Sequence, residues 1–256
     1  MLPTGPVSPV EGPAPLAVAS GTLACWLIDL AQPEARVAAL ARVLAADERE
    51  RAGHFVVASD HRRFVVARTG LRLLLARACG VPTATIRFAY GPHGKPSLVP
   101  AAGVPPMHFS VSHSGDVAMI GVARDAPLGV DIEAVRPLPD LPDVAAGYFT
   151  AEETNTIREA PADERELAFF LCWTRKEAFA KARGDGLALA LHRCRVACRP
   201  GDPARILEID GSAAAAAAWS VYDLRPAPGL VGAAVVPGVP RPLSLVRFDV
   251  AHAAGA

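Results

Sequence analysis

Residues 107–133 read MHFSVSHSGDVAMIGVARDAPLGVDIE. Three apolar runs stand close together in this stretch: Met107–Ser112, Val117–Ala123 and Leu128–Ile132. Ser114-Gly115-Asp116 and Arg124–Pro127 separate them and suit hairpin connections. Strands joined this closely pair antiparallel, because a parallel return needs a long crossover.

Working outward, Thr22–Leu30 (TLACWLIDL) reads as another apolar strand. Helical spacing covers 33–45 and 47–56. Asp60 is placed to cap a long helix reaching Cys79, with Phe64, Leu71, Leu74 and Leu75 on its apolar side. Gly80 and Pro82 end it. Ile86–Ala89 forms a short strand before the turn-rich YGPHGKPSLVPAAGVPP. Beyond the proline-rich 137–142, helices are predicted at 143–147, 150–159 and 163–183. Strands follow at 193–199, 204–209, 218–224 and 230–236, with a last one at Leu243–Phe248. The alanine run Ala213–Ala218 reads as a loop insertion. Mixed helix and strand order with antiparallel hairpins indicates an α+β fold.

The chain has 256 residues, is 51% hydrophobic and carries no net charge, so its core is sizeable and its surface lacks the basic excess of a nucleic-acid binder. No window holds the roughly 20 apolar residues of a membrane span. MLPTGPVSPVEGPAPL, residues 1–16, lacks signal-peptide features and reads as a disordered tail. Five irregularly spaced cysteines suit reduced thiols in a cytoplasmic protein. Of 26 basic residues, three are lysine: Lys95, Lys176 and Lys181. An ammonium is compact where a guanidinium is a fork, so lysines kept in an arginine-rich chain draw notice.

Four segments carry candidate chemistry. In LGVDIE, 128–133, strand alternation points Val130 and Ile132 one way and Asp131 and Glu133 the other. Two carboxylates on one face need solvent or a cation, and an oxygen-only set suits magnesium; both readings stay open on the strand alone. In WTRKEAFAKARGDGL, 173–187, Trp173, Glu177 and Lys181 form one helix ridge, with Lys176 beside Glu177. That ridge is either a surface ion pair or a metal and phosphate site. Ser112 and His113 follow a strand and are able to donate to a phosphate; as neighbours on a strand they face opposite ways, which disfavours a nucleophile–base pair. Gly94-Lys95-Pro96 is a turn able to present an ammonium and backbone amides to a phosphate, without P-loop spacing.

Taken in order, GKP, FSVSHS, GVDIE and WTRKEAFAK resemble the 4′-phosphopantetheinyl transferases that serve nonribosomal peptide and polyketide synthases. The resemblance covers about residues 45–190, with a family-like strand region after it. It implies two similar α+β subdomains related by a pseudo-twofold, 17–127 and 128–250, with the active site at their interface and a short tail at 251–256. It implies a monomer acting on coenzyme A and on a serine of an acyl or peptidyl carrier protein. Asp131, Glu133 and Glu177 match the ligands of a magnesium ion, with manganese as an alternative. Asp131, Glu177 and Lys181 match the catalytic set, Glu177 as the proton acceptor and Lys181 as a phosphate contact. Ser112, His113, Gly94, Lys95, Pro96 and Lys176 match the coenzyme A side. Arg63 falls where relatives hold the 3′-phosphate, with Arg51 as a second candidate. Glu48 and Asp185 stand where relatives often have lysine. The helical segment 140–170 is the candidate carrier-docking surface, with Phe149, Phe169 and Phe170 as aromatic contacts or as ordinary core.

Overall fold

β1 (Leu23–Asp29) is buried along all but its last residue, so it lies inside a sheet rather than at its surface. The structure is a computed structural model and describes residues 5–10, 18–91, 94–184 and 191–255. After β1 come α1 (Glu34–Leu40), α2 (Ala46–Gly53) and the long α3 (Ala58–Cys79). A small ribbon is next, β2 (Phe88–Tyr90) with β3 (Pro96–Leu98), and then a hairpin of β4 (His108–Ser114) and β5 (Val117–Ala123). The same succession then repeats. β6 (Gly129–Ala134) leads into α4 (Leu141–Tyr148), α5 (Ala151–Glu159) and α6 (Arg165–Arg183). Another ribbon, β7 (Cys194–Val196) with β8 (Ile206–Ile209), precedes α7 (Ala213–Ala216) and the hairpin of β9 (Trp219–Leu224) and β10 (Leu230–Pro237). The chain is α+β, and its two halves have matching pairing: β1 antiparallel to β5 and β5 to β4, β6 antiparallel to β10 and β10 to β9.

Strand alternation sorts the apolar side chains into three cores. Trp26 and Ile28 join α3 and α8 (Val250–Ala254) in one; Val231, Ala233 and Val235 join α6 in another. Leu23, Cys25 and Leu27 meet Val130, Ile132, Ala234 and Val236 in the third, so the opposite faces of the two sheets pack together. The halves thus share a core as well as a boundary.

Several sequence expectations need correction. The link Arg124–Pro127 is not a hairpin: β6 leaves the first sheet and pairs with β10. β11 (Leu243–Arg247), counted with the second half, pairs parallel with β1 of the first. α3 starts at Ala58, with Val57 as its cap residue and Asp60 inside its first turn. It does end at Gly80, whose φ of +68° is the left-handed conformation that closes a helix cheaply with glycine. The alanine run holds a turn of helix, α7, capped by the Ser212 hydroxyl, and Ala216 is buried. The expected tail at 251–256 contains most of α8, where Asp249 caps the backbone amides of Ala251 and His252. Of the expected N-terminal tail, residues 5–10 are tied down: Val7 N donates to Asp223 O and Val10 N to Leu245 O, both at 2.9 Å. Among the described residues no helix is long and apolar enough to cross a membrane.

Candidate active site

Gly129 sets the distance between strand and helix. A Cβ there would stand 1.9 Å from the Ala178 carbonyl oxygen and 2.5 Å from the Ala182 nitrogen. With no side chain, β6 lies directly against the α6 backbone. Val130 and Ile132 turn to the inter-sheet core, so Asp131 and Glu133 turn to α6, where Glu177 precedes Ala178.

Asp131 is 4% exposed and Glu177 is 6% exposed, values rare for carboxylates without partners. Asp131 Oδ1 accepts from Ser112 Oγ at 2.6 Å and from Lys181 Nζ at 2.7 Å. Lys181 Nζ also donates to Val130 O at 3.2 Å, and Lys95 Nζ donates to the Lys181 carbonyl. Glu133 Oε2 accepts from Ser114 Oγ at 2.8 Å. Two buried oxygens, Asp131 Oδ2 and Glu177 Oε1, have no hydrogen-bond partner among the described residues.

The electrostatics record this crowding. Burial pushes the Glu177 carboxyl up to about 7; Asp131 and Glu133 push the same way and Lys181 opposes them. Glu133 is raised by burial and by Asp131, against the Ser114 hydrogen bond. Lys95 is lowered by burial and then by Lys181. His113 is lowered by desolvation in the cleft, then by Lys181 and Arg63. Of the three acids, Asp131 is paired with the Lys181 ammonium, and burial still raises the other two. Two partnerless oxygens and an all-oxygen donor set fit a hard divalent cation. Among the described residues, however, no group of three acidic, histidine or cysteine side chains is arranged as a ready-made metal cage; the Lys181 ammonium sits on Asp131.

The site opens into a cleft between the halves. A cavity of about 240 Å³ is walled by Lys95 and Pro96 on one side, Ser110 and Val111 of β4, and Glu177 and Lys181 of α6. A second cavity of about 480 Å³ shares Gly94, Pro96 and Val111 with it and carries Arg51, Arg63, Arg68 and His113. The Arg51 guanidinium lies 5.5 Å from the Phe64 ring centre and 5.7 Å from that of Tyr90. Arg63 Nε donates to Asp116 at 2.9 Å. Arg68, which the sequence reading missed, lies 4.9 Å from the Phe88 ring centre, and its Nη1 is in an ion pair with the buried Glu48, 3.8 Å from Oε1. Its signal was a third arginine on the helix that carries Arg63.

Other residues lie elsewhere or are already engaged. Lys176 does not face the cleft: it is fully buried, with Nζ 2.6 Å from Glu153 Oε2 and 2.7 Å from Leu191 O. Ser112 lines up with Asp131 rather than offering its proton to a phosphate, whereas His113 does reach the cleft wall. Glu48 is buried in an ion pair with Arg72 at 3.0 Å and cannot grip an anion. Phe149, Phe169 and Phe170 are core residues; Tyr148, half exposed and stacked edge-on with Trp173, is the accessible aromatic of that segment. Asp185 lies outside the described residues.

Strand-borne acids beside a helix-borne acid at the end of a basic cleft, on a duplicated α+β frame, define an enzyme class that sequence comparison also identifies. The 4′-phosphopantetheinyl transferase superfamily model matches residues 127–234, and the model of a 4′-phosphopantetheinyl transferase N-terminal region matches 32–124. The 4′-phosphopantetheinyl transferase HetI of Nostoc sp. is 34% identical over 226 residues, covering 88% of this chain and 92% of its own. A 4′-phosphopantetheinyl transferase of Bacillus subtilis is 33% identical over 148 residues, 58% of this chain and 63% of its own. The human L-aminoadipate-semialdehyde dehydrogenase-phosphopantetheinyl transferase is 31% identical over 160 residues, 59% of this chain and 52% of its own. The chain belongs to the 4′-phosphopantetheinyl transferase superfamily and is a transferase.

Proposed function

We propose that this enzyme moves the 4′-phosphopantetheine arm of coenzyme A onto a serine hydroxyl of an acyl or peptidyl carrier protein, with adenosine 3′,5′-bisphosphate as the leaving group. The observation that carries the reading is the pair of partnerless buried carboxylate oxygens, Asp131 Oδ2 and Glu177 Oε1, at the end of a cleft lined by arginine and lysine. Asp131, Glu133 and Glu177 would hold magnesium, which when bound neutralises a pyrophosphate and polarises its phosphorus.

The chain's own groups do the rest. Arg51, Arg63 and His113 offer donors to the phosphorylated nucleotide end, Arg68 adds charge to the same cavity, and aromatic rings lie against the Arg51 and Arg68 guanidiniums. Lys95 and Lys181 supply charge along the inner cavity, where the pyrophosphate passes toward the acids. Glu177, with its raised pKa, accepts the proton of the carrier serine as that oxygen attacks phosphorus. The P–O bond to the nucleotide breaks as the bond to serine forms, so positioning and charge supply most of the rate.

The test is mass spectrometry of an apo-carrier protein incubated with coenzyme A, magnesium and the enzyme. The carrier gains the mass of phosphopantetheine, and chelation of the divalent ion stops the gain. Unmodified carrier with degraded coenzyme A would instead make the enzyme a hydrolase.

A further inference from the structure

β4 and β6 are edge strands of two different sheets. Edge strands carry backbone donors that need partners. Here serine hydroxyls supply them: Val130 N donates to Ser110 Oγ at 3.1 Å and Ala134 N to Ser114 Oγ at 3.0 Å. Ser110, Ser112 and Ser114 alternate along β4 and share a face, so they form a ladder from one half to the other. Ser112 donates to Asp131 and Ser114 to Glu133, at 2.6 and 2.8 Å.

Ser114 is held at both ends. A hydroxyl has one proton and lone pairs to accept with. Its oxygen takes the Ala134 amide while its proton goes to the neighbouring Glu133 carboxylate. The amide fixes the hydroxyl, and the hydroxyl fixes the carboxylate. We infer that Ser114 is a positioning residue, which orients Glu133 so that it joins Asp131 and Glu177 in holding a divalent cation. The inference rests on the proposed role of those three acids as metal ligands.

The test uses the full chain and two readouts: titration with Mn2+ alone, followed by electron paramagnetic resonance of the free ion, and the Mg2+ dependence of carrier modification. Ser114→Ala weakens Mn2+ binding about tenfold, the low end for outer partners of metal ligands, and raises half-saturating Mg2+ by a similar factor. Turnover at saturating Mg2+ stays within about twofold, because the chemistry is untouched. Ser114→Thr, which keeps the hydroxyl, restores Mn2+ affinity. Wild-type Mn2+ affinity in Ser114→Ala, with affinity lost in Asp131→Ala, overturns the inference and leaves the metal site standing. Undiminished affinity in Asp131→Ala overturns both. If Ser114→Ala does not fold, Ser114→Thr and Ser114→Val are near-isosteric and differ in the hydroxyl; equal Mn2+ affinity in that pair is equally fatal.

Discussion

Asp131 is held by two donors and repelled by two acids, so its removal does opposing things. Asp131→Ala takes the acceptor from Ser112 and one of two acceptors from Lys181, at about 1–3 kcal/mol, and relieves repulsion on Glu177 and Glu133. The melting temperature therefore moves by only a few degrees, at about 2–4 °C per kcal/mol for a chain of this size. Transfer falls by roughly three orders of magnitude, since a bound cation at a phosphoryl centre is worth several kcal/mol. Carrier modification and a thermal melt on one preparation check both, and near-normal transfer would remove Asp131 from the site. Lys176 gives the reverse pattern. Lys176→Met strips the buried Glu153 of its counter-charge, leaving it only the Thr150 and Val196 amides, which costs about 3–5 kcal/mol, while the KM for coenzyme A in the folded fraction is unchanged. A raised KM without loss of melting temperature would put Lys176 back in the cleft. The sequence does hold the reason it points away. Successive helix residues are rotated by about 100°, so the neighbour of Glu177 cannot share its face. Alternation paired Asp131 with Glu133 and helical spacing paired Glu177 with Lys181, but that the two pairs meet was expected only from the family resemblance; Arg68 was missed, because nothing local marks which arginine of α3 borders a cleft.

At the scale of elements, the contact of β6 with α6 decides whether the acids meet. Gly129→Ala drives a methyl into the Ala178 carbonyl, and backbone on both sides leaves no flexible side chain to yield. Strand and helix must separate, at a cost of about 1–3 kcal/mol or more for such overpacking. Activity falls further than stability does, because Asp131 is two residues from the displaced point. Melting temperature and turnover measured together test this, and a variant normal in both would mean that the two elements are not in contact. The long helices and central strands could be read from apolar spacing to within a few residues at their ends. What the strands pair with could not. The tight sequence from β4 through β6 suggested one continuous meander, yet β6 starts a second sheet. The alternation of Ser110, Ser112 and Ser114 was visible too, but a polar strand face reads as solvent-facing until the other edge is known.

For the whole molecule, the crossing of β11 back to β1 ties the halves into one unit. Leu245, Val246, Phe248 and Val250 are all buried. At about 1.5–3 kcal/mol for each large apolar side chain, these four account for some 6–12 kcal/mol. A domain's whole stability is of order 5–15 kcal/mol. Ending the chain after Pro242 is therefore expected to yield protein that is insoluble or lacks a cooperative melt, although every proposed active-site residue remains. A soluble, cooperatively melting product would show β11 and α8 to be dispensable. The two-half plan was expected from resemblance, but this closure was not: an isolated apolar strand carries no sign of which sheet it will join. It also imposes an order on biosynthesis. β1 leaves the ribosome ahead of all other strands, while the neighbour that flanks it is translated after them. Throughout elongation one side of β1 is left open to mispairing with other nascent chains. Yield in the cell should then depend on how quickly residues 243–247 follow the earlier strands out of the ribosome, and on chaperones that shield the waiting strand.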